Sequence, residues 1–240
     1  MSCTFTVQVR EVLIGLVRFI PLSRCEPRLR ADHPRDVGHP VSAGEKSSRV
    51  LGVDVVLVIP NGKADDRGDI PNAETGEWVE TSILLHLQFM RDRKKAHRYF
   101  AELVRLTKWW RNEHDLKFKS FLMELIWAHI LDHGLVEPGD LQDTLVGFLG
   151  YVVRSGLWEP IVFDDCYAAS AVSLNGAPVQ IFDPVNPENN VAGRMDNWRR
   201  QALVNVADEA LDLASAASSA HTKAAANEYY RWLLGTSFEV

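Results

Sequence analysis

The sequence predicts an α+β fold, on three observations. A continuous β-branched run lies near residue 50, a succession of segments with a 3.6-residue apolar period follows beyond residue 95, and a short apolar run at 179–183 is closed by prolines and asparagines. In chain order, Arg10 to Ile20 reads as a short helix, with Val12, Leu13, Leu16, Val17 and Ile20 at helical spacing. Residues 21–48, rich in Pro, Arg and small polar residues, read as loop. Val50 to Ile59 carries one carboxylate, Asp54, and stops at Pro60-Asn61-Gly62, as a buried strand ending in a turn would.

Residues 64–76 read as a polar loop by their Asp, Gly and Pro content. Helices are expected at roughly 95–112, with Phe100, Leu103, Val104, Leu106, Trp109 and Trp110 on one face, and at 116–132, closed by His133-Gly134. Asp140 offers an N-cap for a third helix that Gly156 ends. Val179 to Asp183 reads as a short strand, and an Ala-rich helix follows at about 196–221. A last helix would hold Tyr229, Tyr230, Trp232 and Leu233.

Composition narrows the function. With 240 residues, 46% of them hydrophobic and 24% charged, the chain has enough apolar matter for a substantial core. Its net charge of −6 opposes binding of nucleic acid by overall electrostatics, so no sequence-specific nucleic acid is expected and any nucleotide site must be locally basic. Cys3, Cys25 and Cys166 are odd in number and widely spaced, as reduced thiols of a cytoplasmic protein would be. The early apolar stretch is broken by Arg18 and too short to span a bilayer, so no membrane role is expected.

Four places could carry chemistry. Asp54 sits inside an apolar strand, where a carboxylate either binds a cation or lies at an edge. Lys108 near the end of one helix, with Lys117, Lys119, Ser120 and Phe121 at the start of the next, suits a polyphosphate if the two helices form a hairpin; a solvated lysine face beside core aromatics is the alternative. Asp183-Pro184-Val185-Asn186-Pro187-Glu188-Asn189-Asn190-Val191 reads either as a rigid structural turn or as a ligand contact. His129 and His133 stand four apart, but neither a metalloprotease Glu nor a third ligand accompanies them. Phosphate-binding P-loop, dinucleotide glycine fingerprint and Gly-x-Ser-x-Gly elbow are all absent.

Taken in order, these segments resemble the bacterial cyclic-dinucleotide and oligonucleotide synthases, relatives of animal cyclic GMP-AMP synthase and 2′-5′-oligoadenylate synthase. The resemblance rests on Asp54 in its strand, Ile70-Pro71, Trp78 followed by Thr81, and Leu103-Val104-Arg105-Leu106-Thr107-Lys108-Trp109. It continues through Lys119-Ser120-Phe121 with Glu124, the 183–191 signature, and Trp232-Leu233-Leu234-Gly235-Thr236-Ser237-Phe238. It covers roughly residues 50–240.

The resemblance implies an incomplete nucleotidyltransferase mixed β-sheet packed on a mainly α-helical C-terminal lobe. Residues 1–90 would be a partial catalytic domain, and 91–240 the helical lobe with a short returning strand near 160–183. It further implies synthesis of cyclic di- or oligonucleotides from nucleoside triphosphates in bacterial antiviral signalling, with Mg²⁺ as cofactor and a regulatory protein partner. By the same resemblance Asp54 is the third metal-binding catalytic carboxylate. Lys108, Ser120 and Lys119 lie toward the nucleotide, Phe121 stacks on a base where the family has Tyr, and Asp183, Pro184, Asn189 and Asn190 form a structural motif near the site.

The sequence departs from that pattern in lacking the Gly-Ser motif and the Asp-x-Asp pair. Two hard cations need several oxygen ligands a few ångströms apart, and Asp54 supplies only one residue of the set. The expectation is therefore an N-terminally truncated synthase with little or no activity of its own. Two rivals are a catalytically inactive nucleotide- or partner-binding pseudoenzyme and a helical scaffold with no nucleotide site.

Overall fold

The computed structural model describes residues 58–72, 76–137 and 139–236. Asp54, the segment Arg10 to Ile20 and all but the last two residues of the strand expected at Val50 to Ile59 lie outside that range. The α+β class is observed: a three-stranded antiparallel sheet precedes six α-helices.

The sheet consists of β1 (Ile59–Pro60), β2 (Gly68–Pro71) and β3 (Trp78–Thr81) in that order, with Asp69 opposite Ile59 and Ile70 opposite Val79. The polar segment read as loop thus contributes a strand. Asp65 and Asp66 take positive φ (62° and 51°), which aspartate tolerates better than most residues, and this reverses the chain between β1 and β2. Glu80 on β3 gathers the hairpin: it accepts from Asn61 Nδ2 (3.0 Å) and Arg67 Nη1 (2.9 Å) and pairs with Lys63. The lysine contact and, after it, the arginine contact lower the Glu80 pKa despite the opposing effect of burial.

One helix was not legible from periodicity. α1 (Ile83–Ala96) starts at Ser82, whose buried hydroxyl accepts from Leu85 N (3.2 Å) and donates to Asp65 O (2.6 Å), tying the helix start to the sheet turn. The helix expected over 95–112 is α2 (Phe100–Glu113), separated from α1 by His97–Tyr99. The helix expected from Leu116 begins five residues later, as α3 (Phe121–Asp132), because 115–120 form the linker after α2.

α4 (Leu141–Ser155) has Asp140 as its N-cap, accepting from Asp143 N, and ends at Gly156 in the left-handed conformation (φ 55°). α5 (Asn197–Ser218) is capped by Asp196, and α6 (Lys223–Leu234) by Thr222. All three match the sequence expectation in type and place. The strand expected at Val179–Asp183 is reduced to two isolated bridges, Ile161 with Ile181 in parallel and Phe182 with Asn190 in antiparallel. Pro184 and Pro187 cannot donate to a ladder, and Asn190 takes over the local bonding: its side chain accepts from Ile181 N and Ala192 N and donates to Val179 O, all at 3.0 Å.

The core lies among the helices, and α5 packs on α4 and α6 while α2 packs on α3. Trp127 of α3, wholly buried, stacks on Phe148 of α4 (centroids 4.6 Å apart) and donates its indole N–H to Thr107 of α2 (3.0 Å), so one side chain joins three helices with its polar atom satisfied. The last carbonyls of α6 are met by α2: Trp109 Nε1 donates to Leu234 O (2.6 Å), and His114 Nε2 lies 2.9 Å from Leu233 O.

Candidate functional site

The 183–191 turn is the joint between sheet and helices. Asp183 is only 5% exposed, and its carboxylate accepts from Val185 N (2.8 Å), Asn189 Nδ2 (3.2 Å) and His86 Nε2 (2.7 Å) of α1. A carboxylate this buried is tolerable because three donors replace its water. Pro184 is buried directly after it. The turn also grips the sheet, for Arg67 donates to Val185 O (2.9 Å) and Asn186 Nδ2 donates to the carbonyl of Glu80 (3.2 Å).

From this joint, contact passes to α3. The His86 ring meets Phe121 edge to face, with centroids 5.6 Å apart and planes at 84°. Phe121 is the first residue of α3 and is partly exposed; Glu124, one turn on, holds the ammonium of Lys108 from α2. Ser120 precedes α3 with backbone angles of −61° and −23°, and its hydroxyl makes no capping bond. The helix start therefore presents a side-chain hydroxyl, while the N–H groups of Leu122 and Met123 already donate to Lys119 O and Ser120 O (3.1 Å each).

The structure thus connects Lys108, Glu124, Phe121, His86 and Asp183, with Ser120 adjacent. Asn189 supports Asp183, and Asn190 holds the backbone beneath it. Lys119 is exposed and turns to a separate groove between α3 and α5. His86 stood in the sequence among the candidate histidines His86, His97, His114, His129 and His133, and nothing in its spacing set it apart from the other four.

No family model matches the sequence. Over 235 residues the chain is 37% identical to the cyclic AMP-AMP-AMP synthase of Escherichia coli (strain MS 115-1), an alignment covering 95% of this chain and 73% of that protein. The chain belongs to the CBASS oligonucleotide cyclases. A CBASS oligonucleotide cyclase, CdnC, from E. coli (strain KTE188) is 35% identical over 193 residues, 79% of this chain and 58% of its own length.

Among solved structures, that of E. coli MS115-1 CdnC with ATP superposes with a TM-score of 0.74 at 39% identity, over 81% of this chain and 63% of that one. The same protein is seen in a CdnC:HORMA-deltaN complex. The chain therefore spans a little under two thirds of the CdnC chain solved with ATP. Vibrio cholerae DncV cyclic AMP-GMP synthase, with nonhydrolyzable GTP, shares the fold at 13% identity (TM-score 0.56, 75% of this chain and 45% of that one).

Asp54 is the one residue matched to the family's metal-binding carboxylates, and among the described residues no group of three or more His, Cys, Asp or Glu could hold a metal ion. His129 and His133 do face each other (centroids 4.5 Å), but burial, and then the neighbouring His133, lower the His129 pKa to about 4, as a packed neutral ring requires. None of the helices among the described residues is long and apolar enough to cross a membrane.

Proposed function

We propose that this cyclase-family chain supplies the nucleotide-holding lobe for synthesis of a cyclic oligonucleotide signal from nucleoside triphosphates in the bacterial cytoplasm. In this reading Lys108 and the Ser120 hydroxyl take the triphosphate, and the ring of Phe121 stacks on the base. Lys119 reaches the nucleotide only from its flank. Asp54 would be one ligand of a Mg²⁺ site.

The observation that carries the reading is the contact chain from Asp183 through His86 to Phe121, which sets a partly exposed ring at the mouth of α3 beside a hydroxyl and a lysine. Lys108 is held by Glu124 without a ligand, so phosphate binding exchanges one anionic partner for another. A protein partner belongs to the same proposal, on the precedent of the relative's complex.

Calorimetric titration with ATP tests it. Phe121→Ala should weaken binding by about 1–3 kcal/mol, the worth of one base–aromatic stack, whereas Phe121→Tyr should leave it nearly unchanged. Equal affinity for all three proteins would refute the stacking role. The absence of an Asp-x-Asp pair favours a second reading, in which this polypeptide binds nucleotide without converting it. The 240-residue chain incubated with ATP and Mg²⁺ should release no pyrophosphate, and measurable turnover would overturn that reading.

A further inference from the structure

Glu124 stands at a crossing of three features. It lies in the first turn of α3, where the positive end of the helix dipole favours a negative charge. Its carboxylate pairs with the ammonium of Lys108 from α2, and the lysine and glutamate side chains are only 19% and 18% exposed. It follows Phe121 by three residues, the spacing that puts two side chains on one face of a helix.

An ion pair so far withdrawn from water is less weakened by solvent and salt than a surface pair. The single charge of Lys108 is therefore already answered before any ligand arrives. An anion reaching the ammonium must either displace the carboxylate or lie beside it. The first course breaks the pair, and the second sets like charges together where water screens them poorly. A ligand without phosphates meets neither cost.

We infer that Glu124 is an internal competitor for the phosphates of the nucleotide. It acts through Lys108, holding the ammonium in the ligand-free chain and setting the affinity for a triphosphate below what that lysine alone would give. The inference rests on the reading of Lys108 as the partner of the triphosphate, and it assigns to a neighbouring carboxylate the strength of that grip. One ammonium cannot balance a carboxylate and a triphosphate at once, so competition outweighs bracing. As the phosphates leave, the carboxylate returns to the ammonium, and release strands no partly buried cation.

Calorimetric titration of the full chain and of Glu124→Gln, each with ATP and with adenosine, decides the matter. Glutamine keeps the length of the side chain and an oxygen that can accept from Lys108, but removes the charge. ATP should bind about tenfold more tightly to Glu124→Gln, roughly the worth of one charge-assisted hydrogen bond, while adenosine binding stays the same. Glu124→Ala, which removes the accepting oxygen as well, should show the same selective gain. Misfolding cannot tighten binding, and a purely structural role would leave the ratio of the two affinities where it was. ATP binding that is unchanged or weaker in both variants, with circular dichroism and melting temperature matched to the parent, overturns the inference and makes the carboxylate a brace for Lys108. An equal gain for ATP and adenosine also overturns it, because the effect would then pass through the base. Phe121→Ala separates this result from the reading beneath it: if that variant weakens both ligands while neither Glu124 variant gains ATP affinity, the inference alone fails. ATP binding undetectable in the parent and in both Glu124 variants defeats the inference and the reading together.

Discussion

Replacing Asp183 by alanine removes one acceptor from three donors at once: Val185 N, Asn189 Nδ2 and His86 Nε2. Val185 is buried, so its N–H loses a partner that water cannot replace, at about 1–3 kcal/mol. Asn189 and His86 are partly exposed and recover some hydration, which adds a smaller share. The sum is about 2–4 kcal/mol, a large part of the 5–15 kcal/mol that holds a typical domain together. For a chain of this length it corresponds to a fall of roughly 10 °C in melting temperature.

Asp183→Asn keeps the shape and one good acceptor but turns an amide toward a donor, so about half the loss is expected. Urea unfolding of the two variants beside the parent measures this directly. A loss under about 0.5 kcal/mol for Asp183→Ala would refute the view that the turn is the structural joint, because surface changes routinely fall in that range.

The low pKa of His129 predicts an acid-side loss of stability. The folded ring stays neutral down to about 4 through burial and the nearby His133, against the opposing pull of Asp132, while the unfolded chain protonates near 6.5. The unfolded state therefore binds more protons between these values, and stability falls as pH drops from 6.5 to 4 and no further from this group. Discounted for partial exposure, the effect is about 1–2 kcal/mol, and His129→Leu should flatten melting temperature across that window. Arg93→Met should cost about 2–3 kcal/mol in urea unfolding, because the buried guanidinium bonds Asp132 and Asp165 and covers the Phe89 ring. A neutral result there would show that Asp132 and Asp165 are hydrated without it.

Where a helix declared itself by caps as well as period, it was legible. Asp140 and Gly156 bracket α4, and Asp196 opens the Ala-rich α5. α1 was missed because its interior carries Arg91, Asp92, Arg93, Lys94 and Lys95, and its buried residues include an arginine whose place depends on Asp132 and Asp165 far along the chain. β2 was missed for a related reason: Gly68-Asp69-Ile70-Pro71 has turn composition and becomes a strand through pairing with β3.

Lys108, Phe121 and the 183–191 signature were legible as candidates, yet their connection was not. It runs through His86, which the sequence gives no reason to prefer over its other histidines. Nor could spacing tell that Lys117 and Lys119 line a groove whose lining does not include Lys108.

A crystal structure of this chain grown with ATP is the most direct test of the central claim, that α2 and α3 hold a nucleotide at Phe121. Adenine should stack on the Phe121 ring at roughly van der Waals distance, with the triphosphate against Lys108 and the Ser120 hydroxyl. Crystals saturated with ATP but showing no nucleotide there, or showing it only elsewhere, would contradict it.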